Sequence, residues 1–167
     1  MGFKTEVIVT GKYKLLEVTP TINTDEYDIG DCVFISTEIP NFFPNANSAA
    51  EIKSITVIDR GADTPSLIVY LTTNSTTLGA INATADATDA VVDDVQCIIP
   101  VLAADYAGGA GLTDTCMVAC VTDPSNDGIG CIVSSNESTS LYICAILAAA
   151  AETFAEGDLT FKIGVEY

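Results

Sequence analysis

The chain has 167 residues, 49% of them hydrophobic, which is enough for one domain with a sizeable core. Six basic residues stand against 23 acidic ones, and the formal charge of −17 disfavours nucleic acid and anionic membranes as partners, because both are polyanions. The sequence has no histidine, the commonest general base near neutral pH and a common zinc ligand, so most catalytic triads and most zinc or iron sites are excluded.

The first twenty residues hold half of the basic charge, in Lys4, Lys12 and Lys14. Charges alternate here without a long apolar run, so we expect neither a signal peptide nor a membrane anchor. We expect a soluble chain made in the cytoplasm, or in the cytoplasm of a host. Strands are predicted over residues 3–10 and 13–18. Residues 1–20 therefore form either an N-terminal arm or the first hairpin of a β-sandwich domain that occupies residues 21–167.

Strand patterns continue along the rest of the chain, where β-branched residues alternate with polar ones and turn residues separate the runs. Residues 67–72 are mostly apolar on both faces, which is typical of a central strand between two layers. The remaining predicted strands cover residues 32–39, 51–59, 95–102, 117–121, 131–134, 140–147 and 159–166. Nine or ten short strands predict an all-β fold, a β-sandwich or jelly-roll-like domain, with at most short helical turns.

Two alanine-rich stretches, residues 83–92 and 148–156, are each predicted to form one or two helical turns or an ordered loop.

Between the strands, Phe42 and Phe43 are adjacent aromatic residues in a turn-rich segment. One of them is expected to anchor the loop to the core. The other, if exposed, would be an apolar contact for a partner.

The six cysteines lie mostly in apolar runs, and no Cys-x-x-Cys pair is present. Cys116 and Cys120 share one face of a predicted strand but are too far apart there to bridge each other. We expect buried free thiols that behave as small hydrophobic side chains. A cross-strand disulfide such as Cys131 to Cys144 is the alternative.

Residues 123–128, Asp-Pro-Ser-Asn-Asp-Gly, match the first half of a calcium loop. The twelfth position of that loop is Ser134, where a bidentate glutamate is needed, so a hairpin turn is the better interpretation. Serines and cysteines are present without a histidine to activate them. The sequence therefore predicts no catalytic residue, no metal, no cofactor and no enzymatic activity.

Six segments together resemble the small virion proteins of tailed bacteriophages. They are loose strand-and-turn patterns distributed along most of the chain, at residues 28–34, 39–41, 52–59, 67–71, 138–145 and 158–165. The resemblance implies a capsid decoration, or cement, protein: a β-sandwich, often a homotrimer, that binds the major capsid protein on the outside of the mature head and stabilises it. Such a protein is assembled in the host cytoplasm and ends on the exterior of the virion.

Cementing needs a large, shape-matched interface. We expect the basic N-terminal residues Lys4, Lys12 and Lys14 and the Phe42-Phe43 loop to contact the capsid. The alternative function is a carbohydrate-binding or adhesin module of a virion or cell surface. Sugar sites usually need aromatic platforms, and the chain has no tryptophan and six scattered tyrosines, which disfavours this alternative.

Overall fold

Antiparallel strands make up most of the computed structural model, which describes residues 13–87, 89–107, 117–121 and 129–167. Within these residues there are twelve strands, one short helix and a 3₁₀ turn at Ala103–Asp105. The strands are β1 (Tyr13–Val18), β2 (Glu26–Tyr27), β3 (Cys32–Ile39), β4 (Ala49–Asp59), β5 (Ser66–Thr72), β6 (Val95–Val101), β7 (Tyr106–Ala107), β8 (Met117–Val121), β9 (Cys131–Ser134), β10 (Leu141–Ala149), β11 (Glu152–Thr153) and β12 (Leu159–Glu166), and the helix is α1 (Asp89–Asp93).

Most of the strands form two sheets in which all pairs are antiparallel. The first sheet has the order β1-β12-β4-β8-β7, and β9 pairs with the beginning of β4 while β8 pairs with its end. The second sheet has the order β3-β10-β5-β6, and β2 and β11 form a separate two-stranded ribbon. The predicted all-β sandwich is confirmed.

The core lies between the two sheets and is built from alternate residues of each strand. Phe34 of the second sheet and Phe161 of the first are buried there, with ring centroids 5.3 Å apart. Leu67, Val69 and Leu71 point inward from β5 and are fully buried. Burial of each such side chain stabilises the fold by about 1.5–3 kcal/mol.

Polar and covalent links join the sheets along both edges of the sandwich. On one edge a disulfide connects Cys97 of β6 to Cys131 of β9, with the Cα atoms 6.2 Å apart. Beside it, the Gln96 side chain accepts hydrogen bonds from the backbone N–H of Ser134 at 3.3 Å and from its hydroxyl at 3.2 Å. On the other edge, the Tyr167 hydroxyl donates a hydrogen bond to the Phe42 carbonyl.

A smaller second core lies on the outer face of the second sheet. Leu78, from the segment between β5 and α1, packs there against Cys32 and Cys144, whose thiols are free and buried. The same segment is tied to the start of β3, because the backbone of Cys32 exchanges hydrogen bonds of 2.9 Å with Ala83 and Asn82. This segment therefore covers part of the sheet and leaves the rest open.

The cysteine predictions are partly corrected. Cys32 and Cys144 are buried free thiols as expected. Cys131 pairs with Cys97 and not with Cys144, because β9 lies beside β6 at the edge of the sandwich while Cys144 lies on a central strand of the second sheet. Cys116 and the side chain of Cys120 lie outside the described residues.

The helix predictions are also mixed. Residues 83–92 overlap α1, which has five residues. For residues 148–156, the helical one of the two alternatives is wrong, since this segment contains the end of β10, a turn with Ala150 at a positive φ of 59° and strand β11. Strand pairing overrides the helix propensity of alanine here.

Of the N-terminal segment, residues 13–18 pair with β12 along their whole length, whereas residues 1–12 lie outside the described chain.

The disulfide yields a stability prediction. The chain-entropy account of a 34-residue separation predicts that the double variant Cys97→Ala/Cys131→Ala has a free energy of unfolding lower by about 3–4 kcal/mol, measured by urea denaturation. Adding reductant to the parent chain should reproduce this loss and leave the variant unchanged. Equal sensitivity of both proteins to reductant would contradict the assignment.

Candidate functional site

The Phe42-Phe43 loop does not present an aromatic contact. Phe42 is 0% exposed and Phe43 2% exposed, and their rings pack edge to face with centroids 4.8 Å apart. The backbone N–H of Phe43 donates a 2.9 Å hydrogen bond to the carbonyl of Thr139, just before β10. This bond holds the loop against the start of β10. The expectation of one exposed ring is therefore wrong: both rings are more stable buried in the core than in water.

Lys14 lies on β1, half-buried, and its ammonium donates a hydrogen bond to the Asn41 carbonyl. Burial lowers the pKa of this ammonium. Lys14 thus caps the loop that follows β3. The other two predicted contact residues, Lys4 and Lys12, lie outside the described residues, so the predicted basic surface is represented here by Lys14 alone.

A different surface stands out on the second sheet. Ile68 and Tyr70 of β5 alternate with the core residues of that strand and point to the opposite side. Ile68 lies between Ile146 and Pro100, and Tyr70 has Ile98 beside it on β6. These five residues are called the outer apolar face.

The outer apolar face is exposed at its β6 side. Ile98 is 56% exposed and Pro100 is exposed, while Ile68, Tyr70 and Ile146 are half-buried. None of the five carries a charge, on a chain whose formal charge is −17. An uncharged apolar area on such an acidic surface is typical of a protein contact.

Carboxylates flank the outer apolar face at both ends of β6. Asp93 and Asp94 precede the strand, and Asp105 follows it in the 3₁₀ turn. Asp93 and Asp105 are exposed. A partner that covers this face therefore meets an apolar centre with negative charge at two ends.

A second region, the carboxylate cluster, consists of Asp59, Asp63, Glu152 and Asp158. These residues come from the end of β4, the loop after it, strand β11 and the residue before β12. The pairing of β4 with β12 brings the two chain segments together, and Leu159 lies opposite Asp59. No local sequence pattern predicts this cluster, because its members are up to about a hundred positions apart along the chain.

Backbone N–H groups fix two of the four carboxylates. Asp59 is fully buried and accepts hydrogen bonds from the N–H of Gly61 at 2.9 Å and of Thr64 at 2.8 Å. Asp158 accepts one from the N–H of Ala155 at 2.6 Å. These bonds hold both carboxylates in place and offset part of the cost of burying their charge.

The other two carboxylates are electrostatically unfavourable in their charged form. Burial raises the pKa of Asp63, and the nearby charges of Asp59 and Asp158 raise it further. Burial likewise raises the pKa of Glu152, with additional contributions from Asp63 and Asp59. The cluster therefore holds more negative charge than its surroundings compensate.

Gly61 lies at the point where three of these carboxylates meet. A Cβ atom at this position would overlap the Asp63 Oδ2 atom and would lie 3.2 Å from Asp158 Oδ2 and 3.4 Å from Asp59 Oδ1. A side chain here would collide with the Asp63 carboxylate. Glycine at position 61 thus leaves room for the Asp63 carboxylate.

Basic side chains in the described part of the chain bond elsewhere. Arg60 is the residue directly after Asp59. Its guanidinium donates a hydrogen bond of 2.7 Å to the Thr160 hydroxyl and one of 3.2 Å to the Gly157 carbonyl. The ion pairs between described residues join Lys53 and Lys162 to Glu51, Glu166 and Glu17. None of them involves the carboxylate cluster.

Tyr106 adds an uncompensated polar group to the same region. Its side chain is 8% exposed, and its hydroxyl has no hydrogen-bond partner among the described residues. Burial raises the pKa of the Tyr106 hydroxyl, and the charges of Asp59, Asp105 and Glu152 contribute in the same direction. This phenol therefore lies in the field of the cluster with its hydrogen-bonding capacity unused.

Among the described residues there is neither a metal-ligand cluster nor a helix that could span a membrane. No group of three or more cysteine, aspartate or glutamate side chains among them is arranged to hold a metal ion. The residues 123–128 of the calcium-loop pattern lie outside this description. In the described part of the chain no helix is long and apolar enough to cross a membrane.

Comparison with known proteins does not identify a family for this chain. No family model and no curated protein matches the chain. Among solved structures, the chain is weakly similar to the VP2 subviral particle of infectious bursal disease virus, at 11% identity and a TM-score of 0.18. The match covers 92% of this chain and 40% of the VP2 chain. Similarity at that level does not identify a shared fold.

The raised pKa values predict how stability depends on pH. As pH falls, a carboxyl group whose pKa is raised in the folded state binds its proton at a higher pH than it does in the unfolded chain. The free energy of unfolding therefore increases as pH falls through the raised pKa values of Asp63 and Glu152 towards their ordinary pKa values of 3.8 and 4.5. We expect the contribution of the two groups to stay below about 1 kcal/mol, because both are partly solvated. Thermal unfolding between pH 7 and pH 4 measures it.

The matched variants isolate this effect. Asp63→Asn/Glu152→Gln should be more stable than the parent near pH 7 and should lose part of the gain on acidification. Asp86→Asn/Glu137→Gln removes two charges from exposed positions and serves as the control. If both double variants changed the pH profile equally, general charge repulsion and not the cluster would be responsible.

Proposed function

We propose that this chain is a non-catalytic structural subunit that binds another protein surface, and specifically a decoration subunit on the capsid of a tailed bacteriophage. The observation that carries the binding role is the outer apolar face, an uncharged area on a strongly acidic chain. The phage setting rests on the sequence resemblance described above. The all-β sandwich is compatible with both.

The partner proposed for this face is the major capsid protein, through a surface with an apolar centre and basic side chains at its rim. Apolar contact provides most of the affinity at the centre of such interfaces. The carboxylates at both ends of β6, Asp93 and Asp105, then orient the subunit and favour a basic rim on the partner. Assembly as a homotrimer would multiply a modest contact into stable attachment.

The cysteines support a non-catalytic role. Burial raises the pKa of the Cys144 thiol to about 12, and the nearby Cys32 contributes. Burial also raises the pKa of Cys32, and the charge of Asp31 adds to the shift. The thiolate, which is the nucleophilic form, is therefore disfavoured at both positions near neutral pH.

A pair of isoleucine variants tests the proposed face. Ile98→Glu places a charge in the outer apolar face, whereas Ile132→Glu changes a more exposed isoleucine on β9 of the first sheet, 70% exposed against 56% for Ile98. Phage heads assembled without the chain would be mixed with each purified protein and co-sedimented. Ile98→Glu should bind roughly tenfold or more weakly, because a desolvated unpaired charge costs more than 1.4 kcal/mol.

The control variant should bind like the parent chain. Both positions are exposed, so both variants should fold, and their thermal unfolding should match that of the parent. Undiminished binding of Ile98→Glu, or an equal loss in both variants, would contradict the proposed face.

A further inference from the structure

We propose that the Cys97–Cys131 disulfide is a redox-controlled latch that keeps one edge of the sandwich closed. When thiol–disulfide exchange opens the latch, β6 and β9 separate locally from their sheets while the rest of the fold persists. Such a latch works in the same way whatever partner the chain binds, so it does not depend on the proposed function.

The disulfide joins two strands that are each held from one side. β6 has seven residues, is the last strand of the second sheet and pairs with β5. β9 has four residues and pairs with the beginning of β4. A strand with one paired neighbour is hydrogen-bonded along one side only, so it opens at a lower free-energy cost than a central strand. Local opening should therefore start at this edge once the covalent bond is gone.

The disulfide also crosses from one sheet to the other. Cys97 lies on the core side of β6, opposite Leu71, and Cys131 begins β9 of the first sheet. The polar contacts described between these two strands are made by Gln96. Its side chain accepts two hydrogen bonds from Ser134, and its carbonyl oxygen lies 3.4 Å from Cys131 Sγ. Neutral contacts of this kind contribute little net stability, so the covalent bond is the main restraint on this edge.

The two bonded cysteines differ in exposure. Cys97 is 5% exposed, whereas Cys131 is half-buried and offers the shorter route from solvent. The thiolate of an external dithiol attacks Cys131 Sγ and forms a new S–S bond with it. The bond to Cys97 breaks, and the Cys97 sulfur leaves with the electron pair and takes up a proton.

A second exchange step completes the opening of the latch. The other thiolate of the reagent displaces Cys131, which takes up a proton, and the reagent leaves as its own disulfide. Two protein thiols are thus formed and one dithiol is oxidised. A small disulfide such as oxidised glutathione reverses both steps and closes the latch.

The described free thiols do not take part in this exchange. Cys32 and Cys144 lie in the second core on the outer face of the second sheet, whereas Cys97 belongs to the main core. The sheet itself therefore separates the two pairs. Burial also raises the pKa of the Cys144 thiol to about 12, so its attacking thiolate form is scarce near neutral pH.

Opening of the latch changes what this edge presents to its surroundings. In the closed form Cys97, Ile99 and Val101 face the core, while Ile98 and Pro100 face outward. Release of β6 exposes the three core residues and displaces two residues of the outer apolar face. Thiols are kept reduced in a cytoplasm and disulfides persist in oxidising surroundings. The latch therefore stabilises this edge when the chain leaves a reducing compartment.

Amide hydrogen exchange of the isotopically labelled full chain, followed by NMR with and without dithiothreitol, tests the latch. The measured quantity is the protection factor of amides in β12, a central strand, divided by that of amides in β6 or β9. A loss of global stability lowers all protection factors alike and leaves this ratio unchanged, whereas local opening of the edge raises it. We expect the ratio to rise roughly tenfold or more on reduction.

Controls assign the effect to the latch. β3 is the opposite edge strand of the same sheet, and its ratio to β12 should not change. Cys97→Ala/Cys131→Ala should show the raised ratio for β6 and β9 without reductant and should not respond to it. Cys32→Ala/Cys144→Ala keeps the disulfide and should respond like the parent chain.

Three outcomes would overturn the latch. They are a ratio for β6 and β9 that does not rise on reduction, an equal rise for β3, and a response that is lost in Cys32→Ala/Cys144→Ala. The first two are measured on the parent chain, so they hold even where a variant does not fold. The binding test of the outer apolar face uses different variants, and its result is independent of these.

Discussion

The packing of the second sheet against the first determines which residues of the described strands face the core and which face outward. Phe34 and Phe161 meet across this contact with ring centroids 5.3 Å apart, and alternate residues of β5 fill the space beside them. Because side chains of a strand alternate between its faces, the residues that face the core dictate which residues face outward. Ile68 and Tyr70 are consequently on the surface, although their side chains are apolar.

The same packing explains why two surface regions have contrasting chemistry. The outer face of the second sheet is covered in part by the segment that carries Leu78, and the five residues of the outer apolar face beside it are uncharged. The carboxylate cluster forms where the end of β4 meets the start of β12. Tyr106 in β7 and the adjacent 3₁₀ turn connect the two regions, since the N–H of Ala103 donates to the Ser66 hydroxyl at the start of β5.

Alternation in the sequence was enough to predict most strands. The predicted bounds 32–39, 117–121 and 131–134 coincide with β3, β8 and β9, because each is a short run with turn residues around it. The sequence left helical turns open for residues 148–156 because alanine propensity is a local quantity, whereas pairing with Tyr27 and Glu26 across β2 is not. Phe42 and Phe43 were misjudged because turn residues around them gave no sign that the loop folds back over the core.

Neither surface region could be found in full from the sequence. Residues 67–72 did show apolar side chains on both faces, but a second covering layer explained them equally well, and the structure covers that face only in part. The carboxylate cluster and the Cys97–Cys131 disulfide depend on contacts between segments that are distant in the chain. Sequence periodicity specifies which face a residue occupies, not which strands become neighbours.

The central claim is that the outer apolar face is the surface by which this chain binds its partner. Electron cryomicroscopy of the phage head carrying the chain tests it most directly, because the orientation of the sandwich on the shell becomes visible. We predict that the face containing Ile68, Ile98 and Pro100 lies against the capsid protein. A subunit that points this face to solvent and contacts the shell through its first sheet would contradict the claim.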